Sequence, residues 1–374
     1  MSAALLGVRV LDFSHVLAGP FASMTLADMG ADVVKIEHPD RPDLTRSFGP
    51  PFVDGISAYF LSVNRGKRSV ALDLKQSSGL KTAQQLATVS DVVLHNFRPG
   101  VMARLGLDSE SLREHHPKLI HCGISGFGAH DSRPAYDLVV QGMGGIASLT
   151  GPPNGQPYKV GTSMADLVAG QSAVQAILAA LIRRDREGIG ATIDVPMIDG
   201  QRAMLTYRAS NWLNAGVMPQ RTGNHHRSLF PYGTYPTSDG FINLAVADDS
   251  AWRAFCDVAG LQGLGSDPQY ATNPARVQHR TELEPTIVDV MTKRTRAEWM
   301  DVLTEVGVIV GPILTVPEAL EDAPLVSHPH PEGKTQVRSV PLPFVMDAAP
   351  RAAVRGAPSL GEHTAEVCLE WLRQ

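Results

Sequence analysis

Residues 8–36 read VRVLDFSHVLAGPFASMTLADMGADVVKI, and this stretch decides the fold. Val8 to Leu11 is a short apolar run, Pro20 to Met29 carries the helix formers Ala, Met and Leu, and Asp32 to Ile36 is a second apolar run just after Gly30. Strand, helix and strand with a glycine at the helix end is the order of a right-handed parallel crossover. The pattern recurs downstream. Ser69 to Leu72, Asp91 to His95 and Leu119 to Ser125 read as strands, with a helix over Gly79 to Val89. Such alternation predicts an α/β fold with a Rossmann-like, mostly parallel sheet. A dinucleotide site would need G-x-G-x-x-G after the first strand, yet the turn reads Phe13-Ser14-His15-Val16-Leu17-Ala18-Gly19-Pro20. The nicotinamide fingerprint is absent.

Further along, Met164 to Arg186 is Ala- and Leu-rich and closes on Arg183, Arg184 and Arg186 before Gly188, charges that suit a helix C-terminus. A strand over Thr192 to Val195 and one helix over Asp199 to Ala215 follow. The texture then changes. Pro219 to Thr222, Pro231 to Tyr235 and Thr237 to Gly240 are turn-rich, Phe241 to Ala247 reads as a strand, and Ser250 to Val306 is helical apart from a loop over Gly263 to Pro274. The expected organisation is a large α/β domain over residues 1–220, a smaller α+β domain over 221–320, and a C-terminal strap over 321–374. The strap carries Pro341, Pro343 and Pro350, and its final helix, starting near Thr364, returns it to the large domain.

With 374 residues, 43% hydrophobic and 19% charged, the chain can bury enough apolar surface to fold. Its 33 Lys+Arg against 38 Asp+Glu leave a net charge of -5, and no basic run is present to meet a phosphate backbone, so nucleic acid is not an expected partner. No uninterrupted apolar stretch approaches a span of about 20 residues, and no basic-then-apolar leader opens the chain, so no membrane partner is expected and the expected location is the cytoplasm. Cys122, Cys256 and Cys368 are scattered and odd in number, which fits neither a disulfide framework nor a zinc site. They read as reduced, structural thiols. His225 and His226 are adjacent in a loop with no further ligand at metal spacing, so no metal is expected.

Several blocks point further. Gly7-x-Arg9-Val10-Leu11-Asp12, Leu17-Ala18-Gly19-Pro20-Phe21, Met29-Gly30-Ala31-Asp32, Asn64-Arg65-Gly66-Lys67-Arg68-Ser69, Asn96-Phe97-Arg98-Pro99-Gly100, Tyr136-Asp137, Ser148-Leu149-Thr150-Gly151, Pro231-Tyr232-Gly233, Gly311-Pro312-Ile313 and Leu360-Gly361-Glu362-His363-Thr364 occur in this order from end to end. In these the chain resembles the class III CoA transferases, which include formyl-CoA and succinyl-CoA transferases, carnitine CoA transferase and the α-methylacyl-CoA racemases. The resemblance implies an interlocked homodimer in which each chain threads through the other. It also implies acyl-CoA and small carboxylic acids as substrates, with a coenzyme A thioester consumed rather than a cofactor permanently bound.

The family nucleophile matches Asp137. A carboxylate attacking a thioester makes a mixed anhydride, and CoA thiolate attacking the enzyme side of it leaves an aspartyl-CoA thioester that an acceptor acid can reverse. Read without the resemblance, Asp137 before an apolar run is a helix N-cap. Gly144 and Gly145 follow in the Gln141-Gly142-Met143-Gly144-Gly145 run, where missing side chains would admit the acyl group or allow tight helix packing. Asp166 matches an acid that moves a proton in the racemases. Those enzymes carry His before the retained Asp, and here that position is Tyr136; a phenol, with a reference pKa of about 10, does not suit proton exchange near neutrality. By position the CoA contacts carry over to His15, Val16, Lys75, Asn96 and Arg104, with Arg98 and Lys67 nearby. Their cations suit the phosphates. The oxalate-linked members have Gln and Arg where this chain has Leu17 and His38, and a four-glycine run where it has Arg221-Thr222-Gly223-Asn224-His225-His226-Arg227-Ser228. This segment looks like that of dicarboxylate-using members, succinyl-CoA:glutarate transferases among them. It offers Arg221, His225, His226, Arg227 and Ser228 to a second carboxylate. The expected function is CoA transfer from an acyl-CoA, succinyl-CoA in particular, to a short dicarboxylate. An acyl-CoA racemase or epimerase on the same fold and a non-catalytic CoA-binding protein are the alternatives.

Overall fold

The apolar runs assemble into one six-stranded parallel sheet. In the computed structural model, which describes residues 3–333, 335–346 and 355–373, the strands are β1 (Arg9–Asp12), β2 (Asp32–Glu37), β3 (Lys67–Ala71), β4 (Val92–His95), β5 (Ile120–Ser125) and β6 (Ala191–Pro196). They lie in the order β3-β2-β1-β4-β5-β6, and every pairing is parallel. This is the doubly wound order. The winding reverses between β1 and β4, so a crevice opens outside the carboxyl ends of these two strands.

Helices α1 (Ala18–Asp28), α2 (Ser77–Thr88), α3 (Asp137–Met143) and α4 (Met164–Glu187) flank the sheet, which explains why its central strands are apolar on both faces. One face packs Val10, Val33, Val92 and Ile120 against the Ala169, Ala173, Val174 and Ile177 stripe of α4. Helix α4 is long and apolar enough, by length and composition alone, to cross a membrane. Here that apolar stripe serves the core. A Cβ on Gly170 would stand 2.6 Å from the Ala18 carbonyl oxygen, so the glycine sets how closely α4 approaches α1. The opposite face packs Leu11, Val34, Val70 and Val93 with Leu86 of α2 and Trp371.

Two expectations about helices fail. The single helix over Asp199 to Ala215 is two, α5 (Met197–Met204) and α6 (Thr206–Ala215), because Thr206 takes a left-handed φ of 41° and breaks the ladder. The loop over Gly263 to Pro274 contains a short helix, Gln262–Ser266, and a 3-10 turn, Pro268–Tyr270. Asp267 caps that turn by accepting from Gln269 N–H at 2.8 Å, with Pro268 fixing its first residue, a start signal legible in the Asp-Pro pair.

The chain divides into two compact units, Met1–Ala147 with Lys159–Met218 and Pro324–Gln374, and Ser148–Tyr158 with Pro219–Ala323. In the second, β7 (Tyr232–Thr237), β8 (Gly240–Ala245) and β9 (Ile309–Pro312) form an antiparallel sheet ordered β9-β8-β7. Its core gathers Tyr235, Ile242, Trp252, Phe255, Ile287 and Trp299 with helices α7 (Asp249–Ala259), α8 (Arg280–Met291) and α9 (Arg296–Glu305). In the first unit the final helix, α10 (Thr364–Leu372), is tied to the sheet by Arg68, which pairs with Asp32 at 2.5 Å, Glu366 at 2.9 Å and Glu370 at 2.6 Å. Pro350 lies outside the described residues.

Candidate active site

The turn after β1 enters the crevice, and buried charges hold its shape. Asp12 accepts from Ser14 N–H at 2.8 Å and Ser23 Oγ at 2.5 Å. Lys35 Nζ donates to the Ser14 carbonyl at 2.6 Å and to Asp43 at 2.9 Å, and Asp43 in turn accepts from Val16 N–H at 3.2 Å. Val16 has φ 68°, a strained conformation for a β-branched residue that persists only because its surroundings dictate it. Burial acts against the Asp43 carboxylate, yet Lys35 and the Thr45 hydrogen bonds outweigh it and hold its proton affinity far below the usual carboxylate range. Lys67 is buried in the same framework, donating to Asn64 Oδ1 at 2.8 Å and to the Pro20 carbonyl at 3.0 Å. Burial pulls its ammonium down to about 7 against the attraction of Asp12. Lys67, expected near the CoA contacts, is thus sealed inside and offers no exposed ammonium to a ligand.

Asn96, at the end of β4, closes a pair with the His15 backbone, accepting from its N–H at 2.9 Å and donating to its carbonyl at 2.7 Å. Its side-chain amide thereby ties the two strands that frame the crevice. A pocket of about 360 Å³ lies there, lined by His15, Lys75 and Arg104 of the expected set, with Phe97, His38 and Arg41 among its other walls. Lys75, Arg98 and Arg104 are exposed cations; Arg98 is near in sequence but is not part of the lining. His38 is held by turn amides, accepting from Asp40 N–H at 3.0 Å, and lies 3.4 Å from Asp73. The residues missed, Phe97 and Arg41, sit beside sequence signals that were legible: an aromatic flanked by Asn96 and Arg98, and a cation three residues past His38.

Asp137 opens α3 but does not cap it. Tyr136, extended and 69% exposed, occupies the cap position and offers no side-chain bond. The N-cap reading of Asp137 is corrected, because its carboxylate turns to another helix. Oδ1 accepts from Ala165 N–H at 2.8 Å, and Oδ2 accepts from Gln141 Nε2 at 2.7 Å. Ala165 lies in the first turn of the 24-residue α4, where backbone N–H groups have no helical partner and the dipole favours an anion. The next residue, Asp166, has its carboxyl pushed up to about 7 by burial and then by the charge of Asp137. Tyr59 belongs to the same electrostatic group: burial, then Asp166, Asp43 and Asp137, raise its hydroxyl to about 12. Nothing in the sequence marked Tyr59. Of the glycines, Gly144 is a packing position, since a Cβ there would stand 2.4 Å from Gln201 Cβ, and Gly145 takes φ 92°.

The sequence pattern described as CoA-transferase family III matches residues 5–364. A succinate–glutarate CoA-transferase from Agrobacterium fabrum is 40% identical over 380 residues, covering 98% of this chain and 95% of that protein. The chain belongs to CoA-transferase family III. An acetyl-CoA:oxalate CoA-transferase from Acetobacter aceti is 41% identical over 319 residues, covering 84% of this chain and 81% of that protein. Among solved structures, a CaiB/BaiF family protein from Brucella suis is 36% identical and superposes with a TM-score of 0.91 over 99% of this chain and 100% of that one.

In this family III transferase the segment 221–228 belongs to the second unit, where Arg221, His225 and His226 are already engaged. Arg221 donates to the carbonyls of Gly155 at 2.6 Å, Pro152 at 3.2 Å and Ser148 at 3.2 Å, pinning that loop. His225 lies 3.6 Å from Glu284, and His226 Nδ1 accepts from Ser228 N–H at 3.1 Å with its ring against Tyr232. Arg227 is exposed and has no hydrogen bond or ion pair to any of the described residues.

Proposed function

We propose that the chain moves CoA from succinyl-CoA to a short dicarboxylate, with Asp137 as the acyl carrier. The observation that carries the reading is the Asp137 carboxylate, partly open to solvent yet held by an α4 amide on one oxygen and by Gln141 on the other. A carboxylate so oriented can attack the thioester carbon, and the freed thiolate can then take the aspartyl carbon as the donor acid leaves. The acceptor carboxylate reverses these steps. CoA would lie in the crevice with its phosphates met by Lys75 and Arg104 and with His15 and Val16 beside it.

Similarity to the succinate–glutarate enzyme supports the choice of acids. A second carboxylate needs a cation, and Arg227 is the side chain of the segment 221–228 left to supply one. A homodimer is part of this reading: α6 buries no residue within the single chain and exposes Tyr207, Trp212 and Leu213, a face suited to a second copy. A racemase would need two proton-transfer groups; Asp166 could be one, and Tyr136 does not suit the other role.

Incubation with succinyl-CoA and then hydroxylamine or borohydride should trap an adduct on wild-type protein and none on Asp137→Ala. Asp137→Ala that still transfers CoA at more than a few per cent of the wild-type rate would sink the mechanism. A scan of succinate, glutarate, malate, itaconate, oxalate and monocarboxylates decides the acceptor. Preference for oxalate, as named for the Acetobacter aceti relative, would overturn the longer dicarboxylate.

A further inference from the structure

One turn after Asp137 along α3, on the same face, stands Gln141. It is 0% exposed, and both ends of its amide are engaged. Oε1 accepts from Val160 N–H at 2.8 Å, while Nε2 donates to the Thr162 carbonyl at 3.2 Å and to Asp137 Oδ2 at 2.7 Å. An amide's oxygen and nitrogen ends are told apart by their partners. With a backbone donor at one end and a backbone carbonyl at the other, a single orientation satisfies Gln141. Its NH2 group must face the carboxylate. Because Ala165 N–H holds Oδ1, each Asp137 oxygen has one fixed neutral donor.

We propose that Gln141 is the positioning residue of the nucleophile, holding the Asp137 carboxylate in its attacking orientation and keeping a donor beside the charge that moves between its oxygens. The proposal rests on Asp137 being the acyl carrier. An Asp137 oxygen attacks the thioester carbon, the C–S bond breaks, and CoA leaves as the thiolate. The thiolate then attacks the Asp137 carboxyl carbon, whose C=O electron pair moves onto oxygen. That pair returns as the bond to the acyl-bearing oxygen breaks, and the donor acid departs as its carboxylate. No proton or electron enters or leaves. Whenever an Asp137 oxygen carries the negative charge, in the resting carboxylate and in the tetrahedral adduct at its carboxyl carbon, Gln141 Nε2 and Ala165 N–H lie beside it, both preorganised before substrate arrives. Neutral donors suit the task, since they orient the carboxylate without neutralising it.

Gln141 also anchors residues 160–162, where the chain enters α4, so a purely structural role must be separable. Gln141→Glu separates them. It preserves size and the acceptor for Val160 N–H, loses the NH2 donor, and regains an O–H donor only when protonated. The expected result at pH 8 is a fall in kcat of about 100-fold for Gln141→Glu and Gln141→Met alike, with KM for acyl-CoA changed by less than about threefold. As the pH falls toward 5.5, the Gln141→Glu deficit relative to wild type narrows and the Gln141→Met deficit does not. Adduct formation from acyl-CoA alone slows by the same factors. A Gln141→Glu deficit equal at every pH overturns the proposal, as does Gln141→Met turning over at more than about a third of the wild-type rate. Should Gln141→Met fail to fold, the pH ratio of Gln141→Glu decides alone. Asp137→Ala run beside them tells the two ideas apart: adduct on Asp137→Ala removes the acyl carrier itself, whereas an inert Asp137→Ala with fully active Gln141 variants removes only the role of Gln141.

Discussion

Replacing Asp166 by Asn should stabilise the protein, and by more as the pH rises. The native state holds this carboxyl's proton to about 7, against an ordinary value of 3.8, because burial and then the Asp137 charge disfavour its ionised form. The unfolded chain gives up the proton near the ordinary value. Between the two values the native state binds more protons than the unfolded one, so stability falls as pH rises and levels off above the higher value. A shift of about three units at 1.4 kcal/mol each bounds the cost at about 4 kcal/mol, and solvent access to this partly open site cuts it to roughly 2 kcal/mol. Asp166→Asn removes that cost. For a unit of this size the gain corresponds to about 4 to 8 °C in Tm at pH 8.5, shrinking toward zero near pH 4. Calorimetry of both proteins from pH 5 to 8.5, at fixed protein concentration and ionic strength, measures it. A Tm difference that stays flat across this range would refute the reasoning, since it would show that the native Asp166 ionises like an exposed aspartate. In an Asp137→Asn background the dependence should move to lower pH, because the second cause of the shift has been removed.

Asn96→Ala should loosen the turn that carries His15 and Val16, since two hydrogen bonds to the His15 backbone are lost. KM for acyl-CoA is expected to rise about tenfold with kcat changed little, and a fall in kcat at constant KM would contradict this. The two arginines of the 221–228 segment should part company. Arg221→Ala releases three loop carbonyls and should cost roughly 1 to 3 kcal/mol of stability, lowering activity with all acids alike. Arg227→Ala should leave Tm in place and lower kcat/KM for dicarboxylates by at least about tenfold relative to a monocarboxylate of equal length. Equal losses with both acids would show that Arg227 does not read the second charge.

The parallel α/β class was legible in residues 8–36 because hydrophobic period and a helix-ending glycine are local properties, repeated often enough to leave one architecture. Asp137 was legible as a candidate nucleophile, since a carboxylate beside Tyr136 within the family's order of motifs needs no coordinates. What those residues do in space was decided elsewhere. Lys67 reads as one cation among several, and only the pairing of β3 with β2, which brings its ammonium within 3.5 Å of Asp12, seals it. Arg221 and Arg227 are indistinguishable as letters, yet one is folded onto the carbonyls of residues 148–155 and the other faces solvent. Asp137 and Gln141 are one helical turn apart, a spacing any reader of sequence can see. The groups that orient them, Val160 N–H, the Thr162 carbonyl and Ala165 N–H, are backbone atoms 19 to 28 residues away. Every residue carries such a carbonyl and every residue but proline such an N–H, so no side-chain pattern marks which ones will be used. Their positions follow from burying the stripe of α4 against the sheet, a long-range packing choice that no local window of the chain contains.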